Sequence, residues 1–189
     1  MRVLCFGDSN TYGYDPRSYL GDRYGAEDRW VDLLAQKSGW EFINAGQNGR
    51  EIPRREREFQ SFEQLLYRSL PLDLLLVMLG SNDLLQGKHP AGVSARMETF
   101  LRRVSMDPQR IVLMAPPPMQ PGAWITRQQL LSDSVELISR YRELSQTLGT
   151  KFVDSSGWHI GLTFDGVHFT GEGHRTFAEQ LYPVLAALE

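Results

Sequence analysis

Cys5 is the only cysteine in the chain, so no intrachain disulfide can form. Its place in the apolar run Val3-Leu4-Cys5-Phe6 predicts a buried, unreactive thiol rather than a nucleophile. No run reaches the ~18 apolar residues of a membrane span, and no basic segment leads into a hydrophobic one near Met1. The expectation is a cytoplasmic protein with no membrane partner. Neither sign of charge dominates: 20 basic and 23 acidic residues are interspersed, for a net charge of −3, which gives no reason to expect nucleic acid as a partner. Internal repeats, low-complexity linkers, Gly-x-Gly-x-x-Gly and P-loop patterns are all missing. Histidine is scarce as well. His89, His159, His168 and His174 are the four, and none forms the His-x-His or His-x-x-x-His pair that a clustered metal site uses. Small-molecule chemistry remains.

What the chain does have is a regular alternation of apolar runs and helical periodicity. Residues 3–6, 40–43, 72–79, 111–115 and 152–154 read as strands, with 72–79 apolar enough for a central strand covered on both faces. Helices are predicted over residues 30–37, after an irregular start within 50–68, and over 91–104, 127–148 and 171–187, with Gly39 and Gly149 as stops. Residues 11–28 lack either period and read as a polar loop forming a pocket wall. This pattern predicts one domain over residues 1–189, a doubly wound five-stranded parallel sheet in a flavodoxin-like three-layer α/β/α sandwich. Its ligands belong beyond the carboxyl ends of the strands.

Four of the strand ends carry polar residues suited to chemistry. The first delivers Phe6-Gly7-Asp8-Ser9-Asn10, where Ser9 is either a displayed hydroxyl or a plain helix cap. The second runs into a loop, Asn44-Ala45-Gly46-Gln47-Asn48-Gly49-Arg50, which can turn a backbone N–H toward a ligand oxygen or serve as an ordinary glycine turn. The third ends in the polar loop Gly80-Ser81-Asn82-Asp83. The last connection carries Asp165-Gly166-Val167-His168. Acyl transfer needs a hydroxyl, an imidazole to take its proton, a carboxylate to hold the imidazole and donors for the oxyanion. An extended segment would let Asp165 reach Nδ1 of His168 while Nε2 faces Ser9; the alternative is a loop histidine without a task and an Asp165 that serves only as a turn-former before Gly166. His159, near the same loop, is the main competing base. Tyr12, Tyr14 and Trp124 are candidate walls of a substrate pocket, with anchoring of their own loops as the alternative.

Taken together and in order, Gly7-Asp8-Ser9-Asn10, Asn44 to Gly49, Gly80-Ser81-Asn82-Asp83 and Asp165-Gly166-Val167-His168 resemble the motifs of the SGNH hydrolases, the GDSL lipase/esterase family. Leu4-Cys5-Phe6-Gly7-Asp8-Ser9, Arg29-Trp30, Met78-Leu79-Gly80 and Pro116-Pro117-Pro118 are similar to its cytoplasmic arylesterase and acetylesterase group. The resemblance implies a serine esterase acting on short-chain carboxylic esters through an acyl-enzyme, without metal or cofactor, with acyl transfer to alcohols and homo-oligomers in some members. It implies Ser9 as nucleophile, His168 as base and Asp165 as its orienting partner. The Ser9 and Gly49 backbone N–H groups and the Asn82 side chain would form the oxyanion hole. Gly49 fits the family spacing from Asn44 better than Gly46 does. Asn10 stands where the family's short name has leucine, at a position with no direct part in the chemistry. Gly-x-Ser-x-Gly is missing, so the α/β-hydrolase elbow is the wrong template.

Several rival readings stay open. A carbohydrate O-deacetylase and a thioesterase would use the same site. A metal-dependent phosphoesterase would need grouped His and Asp ligands, and a non-catalytic binding module would use the same crevice without turnover.

Overall fold

The computed structural model of the protein describes residues 1–18 and 22–188. Residues 19–21 of the predicted polar loop lie outside the described residues. Strands β1 (Arg2–Gly7), β2 (Glu41–Gly46), β3 (Leu74–Met78), β4 (Ile111–Ala115) and β5 (Lys151–Asp154) form one five-stranded parallel sheet in the order β2-β1-β3-β4-β5. Helices flank both faces, giving the predicted three-layer sandwich.

Side chains of a strand point alternately to opposite faces, and here that alternation divides the interior into two cores. Leu4 and Phe6 of β1, Leu75 and Val77 of β3 and Leu113 of β4 face one side. There they meet apolar residues of α3 (Glu56–Ser69), α5 (Pro90–Leu101) and α6 (Gln129–Leu148), including Phe62, Phe100 and Tyr141. Val3, Cys5, Leu76, Met78, Val112 and Met114 face the other side. They are covered by α2 (Trp30–Ser38) and α7 (Gly171–Ala186) through Trp30, Leu34, Phe177 and Leu181. Cys5 is buried in this second layer, and burial pushes its thiol up, out of the range of a nucleophile.

Local signals in the sequence account for the helix ends. Gly39 and Gly149 close α2 and α6 in the left-handed conformation that glycine reaches without a Cβ penalty. Pro90 opens α5, where its missing N–H costs nothing, and the Thr170 side chain accepts the Gly173 N–H to cap α7.

Two predicted elements differ from the structure. The second strand does not stop at Ile43: Asn44, Ala45 and Gly46 continue it, paired with Cys5, Phe6 and Gly7 of β1. Asn44 tolerates this because both ends of its amide are bonded, Nδ2 donating to the Thr11 carbonyl at 2.8 Å and Oδ1 accepting the Gly46 N–H at 2.9 Å. The loop therefore starts only at Gln47. Residues 81–85, expected as a polar loop, form a short helix α4 (Ser81–Leu85) after Gly80, which turns the chain at φ 127°.

The strand order places the sheet's switch point between β1 and β3, because the chain goes from β1 outward to β2 and then returns to the opposite side of β1. In open parallel α/β sheets, ligands bind in the crevice beyond the carboxyl ends of the two strands at such a point. Gly7 is in register with Gly46 on one side and Met78 on the other. Ser9, Gly49 and Asn82 consequently leave the sheet at one edge.

Candidate active site

Ser9 is presented by a single helical turn, α1 (Ser9–Tyr12), which begins directly after β1. Asp8 caps this turn, its Oδ1 accepting the Asn10 N–H at 3.0 Å, and Gly13 closes it at φ 88°. At Gly7 a Cβ would lie 2.0 Å from Thr11 Oγ1, so the strand can fold back under the turn only with glycine there. As the first residue of the turn, Ser9 keeps a backbone N–H with no acceptor inside the helix.

His168 and Asp165 reach the same edge from the segment between β5 and α7. Gly166 turns at φ 81°, and Asp165 Oδ1 accepts the N–H groups of Val167 and His168 at 2.8 and 2.9 Å. Oδ2 of Asp165 lies 2.8 Å from His168 Nδ1, and His168 Nε2 lies 2.9 Å from Ser9 Oγ. A carboxylate only accepts, so Nδ1 carries the proton and donates it to Asp165. Nε2 is then the bare nitrogen that accepts from the Ser9 hydroxyl. Burial opposes ionisation of Asp165, but the bonds from the His168 ring and from the two N–H groups prevail and bring its pKa down to about 2. All three side chains are buried.

The two glycines of the second strand end have different surroundings. The Gly46 N–H is taken by Asn44, and a Cβ on Gly46 would lie 2.1 Å from the Tyr12 nitrogen, so this glycine packs under α1. Gly49 sits in the loop at φ 72°, with no atom of another segment within 4 Å of where its Cβ would be. Arg50 ties that loop to the sheet: its guanidinium donates to the Gly7 carbonyl at 2.7 Å and also to the Ala45 carbonyl, and it lies 4.3 Å over the Phe6 ring. Burial lowers its pKa to about 10. Asn82 donates through Nδ2 to the Arg50 carbonyl at 3.1 Å, leaving the second N–H of the amide for another acceptor. Its neighbour Asp83 is buried, accepts the Ile52 N–H at 3.1 Å and pairs with Arg96. Desolvation by burial raises the Asp83 pKa despite that pairing.

Two of the three aromatic candidates stand against the imidazole. Tyr14 and Trp124 each place a ring centroid 4.9 Å from that of His168, edge-on at 66° and 82°. The Trp124 segment is zipped to the His168 segment, with Ala123 N–H donating to the Phe164 carbonyl at 2.9 Å and Trp124 N–H to the Asp165 carbonyl at 3.1 Å. Tyr12 is turned elsewhere, beneath the Arg23 guanidinium at 4.4 Å. His159, the competing base, is exposed beyond the turn Ser156–Trp158, while Ser9 Oγ meets His168. Among the described residues no three His, Cys, Asp or Glu side chains group as a metal site, and no helix is long and apolar enough to cross a membrane.

Sequence reasoning missed Asn10 and Arg50. Asn10 has no direct part in the chemistry by its position in the motif, and nothing in the sequence shows that its amide bonds to residues on both sides of His168.

The model of the GDSL-like lipase/acylhydrolase family matches residues 5–176, which span every site residue named above. The chain belongs to this family. Among solved structures, this family member superposes on the M. smegmatis aryl esterase with a TM-score of 0.85 at 25% identity, covering 100% of this chain and 99% of that one. A carbohydrate acetylesterase family member from Sinorhizobium meliloti matches with a TM-score of 0.83 at 28% identity, over 99% and 98% of the two chains. No curated protein matches it in sequence. As a GDSL-like acylhydrolase with esterases as structural neighbours, the protein is a carboxylic ester hydrolase.

Proposed function

We propose that the protein hydrolyses short-chain, acetyl-type carboxylic esters through an acyl-enzyme on Ser9. The observation that carries this reading is the continuous hydrogen-bonded chain from Ser9 Oγ to His168 Nε2 at 2.9 Å and from Nδ1 to Asp165 at 2.8 Å. His168 takes the hydroxyl proton as Ser9 Oγ attacks the ester carbonyl, then hands it to the departing alcohol oxygen. Water, deprotonated by the same nitrogen, next attacks the acyl-enzyme and releases the acid, with the proton returning to Ser9. The Ser9 and Gly49 N–H groups and the free Asn82 N–H receive the developing oxyanion. Asp165 stays ionised throughout and holds the imidazole tautomer.

Tyr14 and Trp124 flank the imidazole, the group that protonates the leaving alcohol, and so suit an aromatic or sugar alcohol. The aryl esterase and carbohydrate acetylesterase neighbours are consistent with either. Tyr12, under the Arg23 guanidinium, is not part of that flank. The test is hydrolysis of p-nitrophenyl acetate by wild type and Ser9→Ala with EDTA present throughout. Turnover by wild type and a loss on the order of 10⁶ in kcat in the variant are expected. Equal rates, or none in either protein, would overturn the assignment of Ser9. A panel of acetylated sugars and thioesters under the same conditions then separates the esterase from the deacetylase and thioesterase readings.

A further inference from the structure

Nothing within the His168 segment itself fixes its distance from Ser9. Asp165 winds the segment internally through its bonds to Val167 and His168, and Thr163 N–H donates to the His168 carbonyl at 2.8 Å. Those contacts shape the loop without tying it to the nucleophile turn. Besides the His168–Ser9 bond itself, the direct tie comes from Asn10, the residue after Ser9; Tyr24 adds an indirect one, its hydroxyl donating to the Phe169 carbonyl at 3.3 Å and its N–H to the Gly13 carbonyl at 2.8 Å. Its Nδ2 donates to the Val167 carbonyl at 3.1 Å, and its Oδ1 accepts the Phe169 N–H at 2.9 Å. One planar amide thus grips the backbone on both sides of His168.

Asn10 is itself held. It lies on α1, its side chain is buried, its N–H donates to Asp8 Oδ1, and its carbonyl accepts the Trp30 indole N–H at 2.9 Å. We infer that Asn10 is a positioning residue that sets the Ser9–His168 separation by docking the base segment onto the nucleophile turn. This rests on the serine hydrolase reading above and adds a role to a position at which the family's short name has leucine. A leucine side chain has neither donor nor acceptor, so it would leave the Val167 carbonyl and the Phe169 N–H buried and unpaired. The loop would have to shift to rehydrate them. Displacement of a catalytic group by about 1 Å costs on the order of 10²-fold in rate.

The test compares wild type with Asn10→Leu and Asn10→Asp in the full chain, using kinetics on p-nitrophenyl acetate and the low-field proton NMR resonance of His168 Nδ1–H. Asn10→Asp keeps the shape and the acceptor for Phe169 but exchanges the donor to Val167 for an oxygen. It carries the test if Asn10→Leu fails to fold. The expected result is a kcat about 10²-fold lower in Asn10→Leu and a smaller loss in Asn10→Asp. KM should change little, and the His168 resonance should shift or broaden in both. Folded variants with wild-type kcat, or with reduced kcat and an unmoved resonance, would overturn the role. If wild type shows no Ser9-dependent turnover, the proposed function fails on its own, and the resonance still decides whether Asn10 places His168.

Discussion

Asp165 gives His168 both of its carboxylate oxygens: Oδ2 meets the ring Nδ1 at 2.8 Å, and Oδ1 accepts the backbone N–H of the same residue at 2.9 Å. The carboxylate therefore fixes the tautomer of the imidazole and the backbone that carries it. Asp165→Asn preserves the shape but presents an amide that can donate toward Nδ1, which favours the tautomer with its proton on Nε2. That nitrogen can no longer accept from Ser9. The expected loss is about 10⁴ in kcat with KM little changed, measured by steady-state hydrolysis of p-nitrophenyl acetate. A rate within tenfold of wild type would show that the tautomer is set by something other than Asp165.

Asn82 has one amide N–H committed to the Arg50 carbonyl and one to spare. In the proposed mechanism that spare donor faces the developing oxyanion, so Asn82→Ala is expected to lose roughly 10²–10³ in kcat. Because the interaction matters most as charge develops, affinity for a trifluoromethyl ketone analogue should fall with kcat/KM while KM moves little. Retention of full activity in a folded Asn82→Ala protein would remove the side chain from the oxyanion hole.

Arg50 joins the ends of β1 and β2 by donating to the Gly7 and Ala45 carbonyls. Arg50→Met keeps the apolar stem over Phe6 and deletes the donors. Two carbonyls then lose charge-assisted bonds, a destabilisation of about 2 kcal/mol, read as a lower midpoint in urea unfolding. Activity should fall with it, because Gly49 precedes Arg50 directly and loses its anchor to the sheet. An unchanged midpoint would mean that water replaces the guanidinium without cost.

The fold was legible because its signals are local and periodic. The nearly continuous apolar run at 72–79 reads as a covered strand and holds β3, and glycines mark the ends of α2 and α6 where the chain needs positive φ. The second strand was cut short at Ile43 because Asn44 and Gly46 are poor strand formers by composition. In the structure the bond that Asn44 donates to the Thr11 carbonyl and the one that it accepts from the Gly46 N–H override that preference. Ser9, Asp165 and His168 were legible as residue types at strand ends and through family resemblance. Asn10 was not, because its partners Val167 and Phe169 lie 157 and 159 residues away in sequence and are backbone groups. No spacing rule identifies which side chain a distant carbonyl will meet.

His174 extends the same point to stability. It is fully buried in α7, its ring 5.3 Å from that of Tyr24 and 5.2 Å from that of Phe169, and among the described residues neither ring nitrogen has a hydrogen-bond partner. Burial, helped by the charge of Arg29, lowers its pKa from 6.5 to about 3. Between those two values the unfolded chain holds a proton on His174 that the folded chain refuses. Stability from this group is therefore complete above about pH 6.5 and is lost as the pH falls, at up to about 1.4 kcal/mol per pH unit. Asp8 acts in the opposite sense: desolvation raises its pKa from 3.8 to about 6, so its folded form gains protons first and offsets part of the loss over that window. Comparing wild type with His174→Phe, which keeps a flat ring in the same aromatic cluster, cancels the Asp8 contribution. In urea unfolding, the stability of the variant relative to wild type should rise by about 2 kcal/mol between pH 6.5 and pH 4.5. A difference that stays constant over that range would show that His174 takes its proton equally in the folded and unfolded chain, and that the buried ring is reached by water.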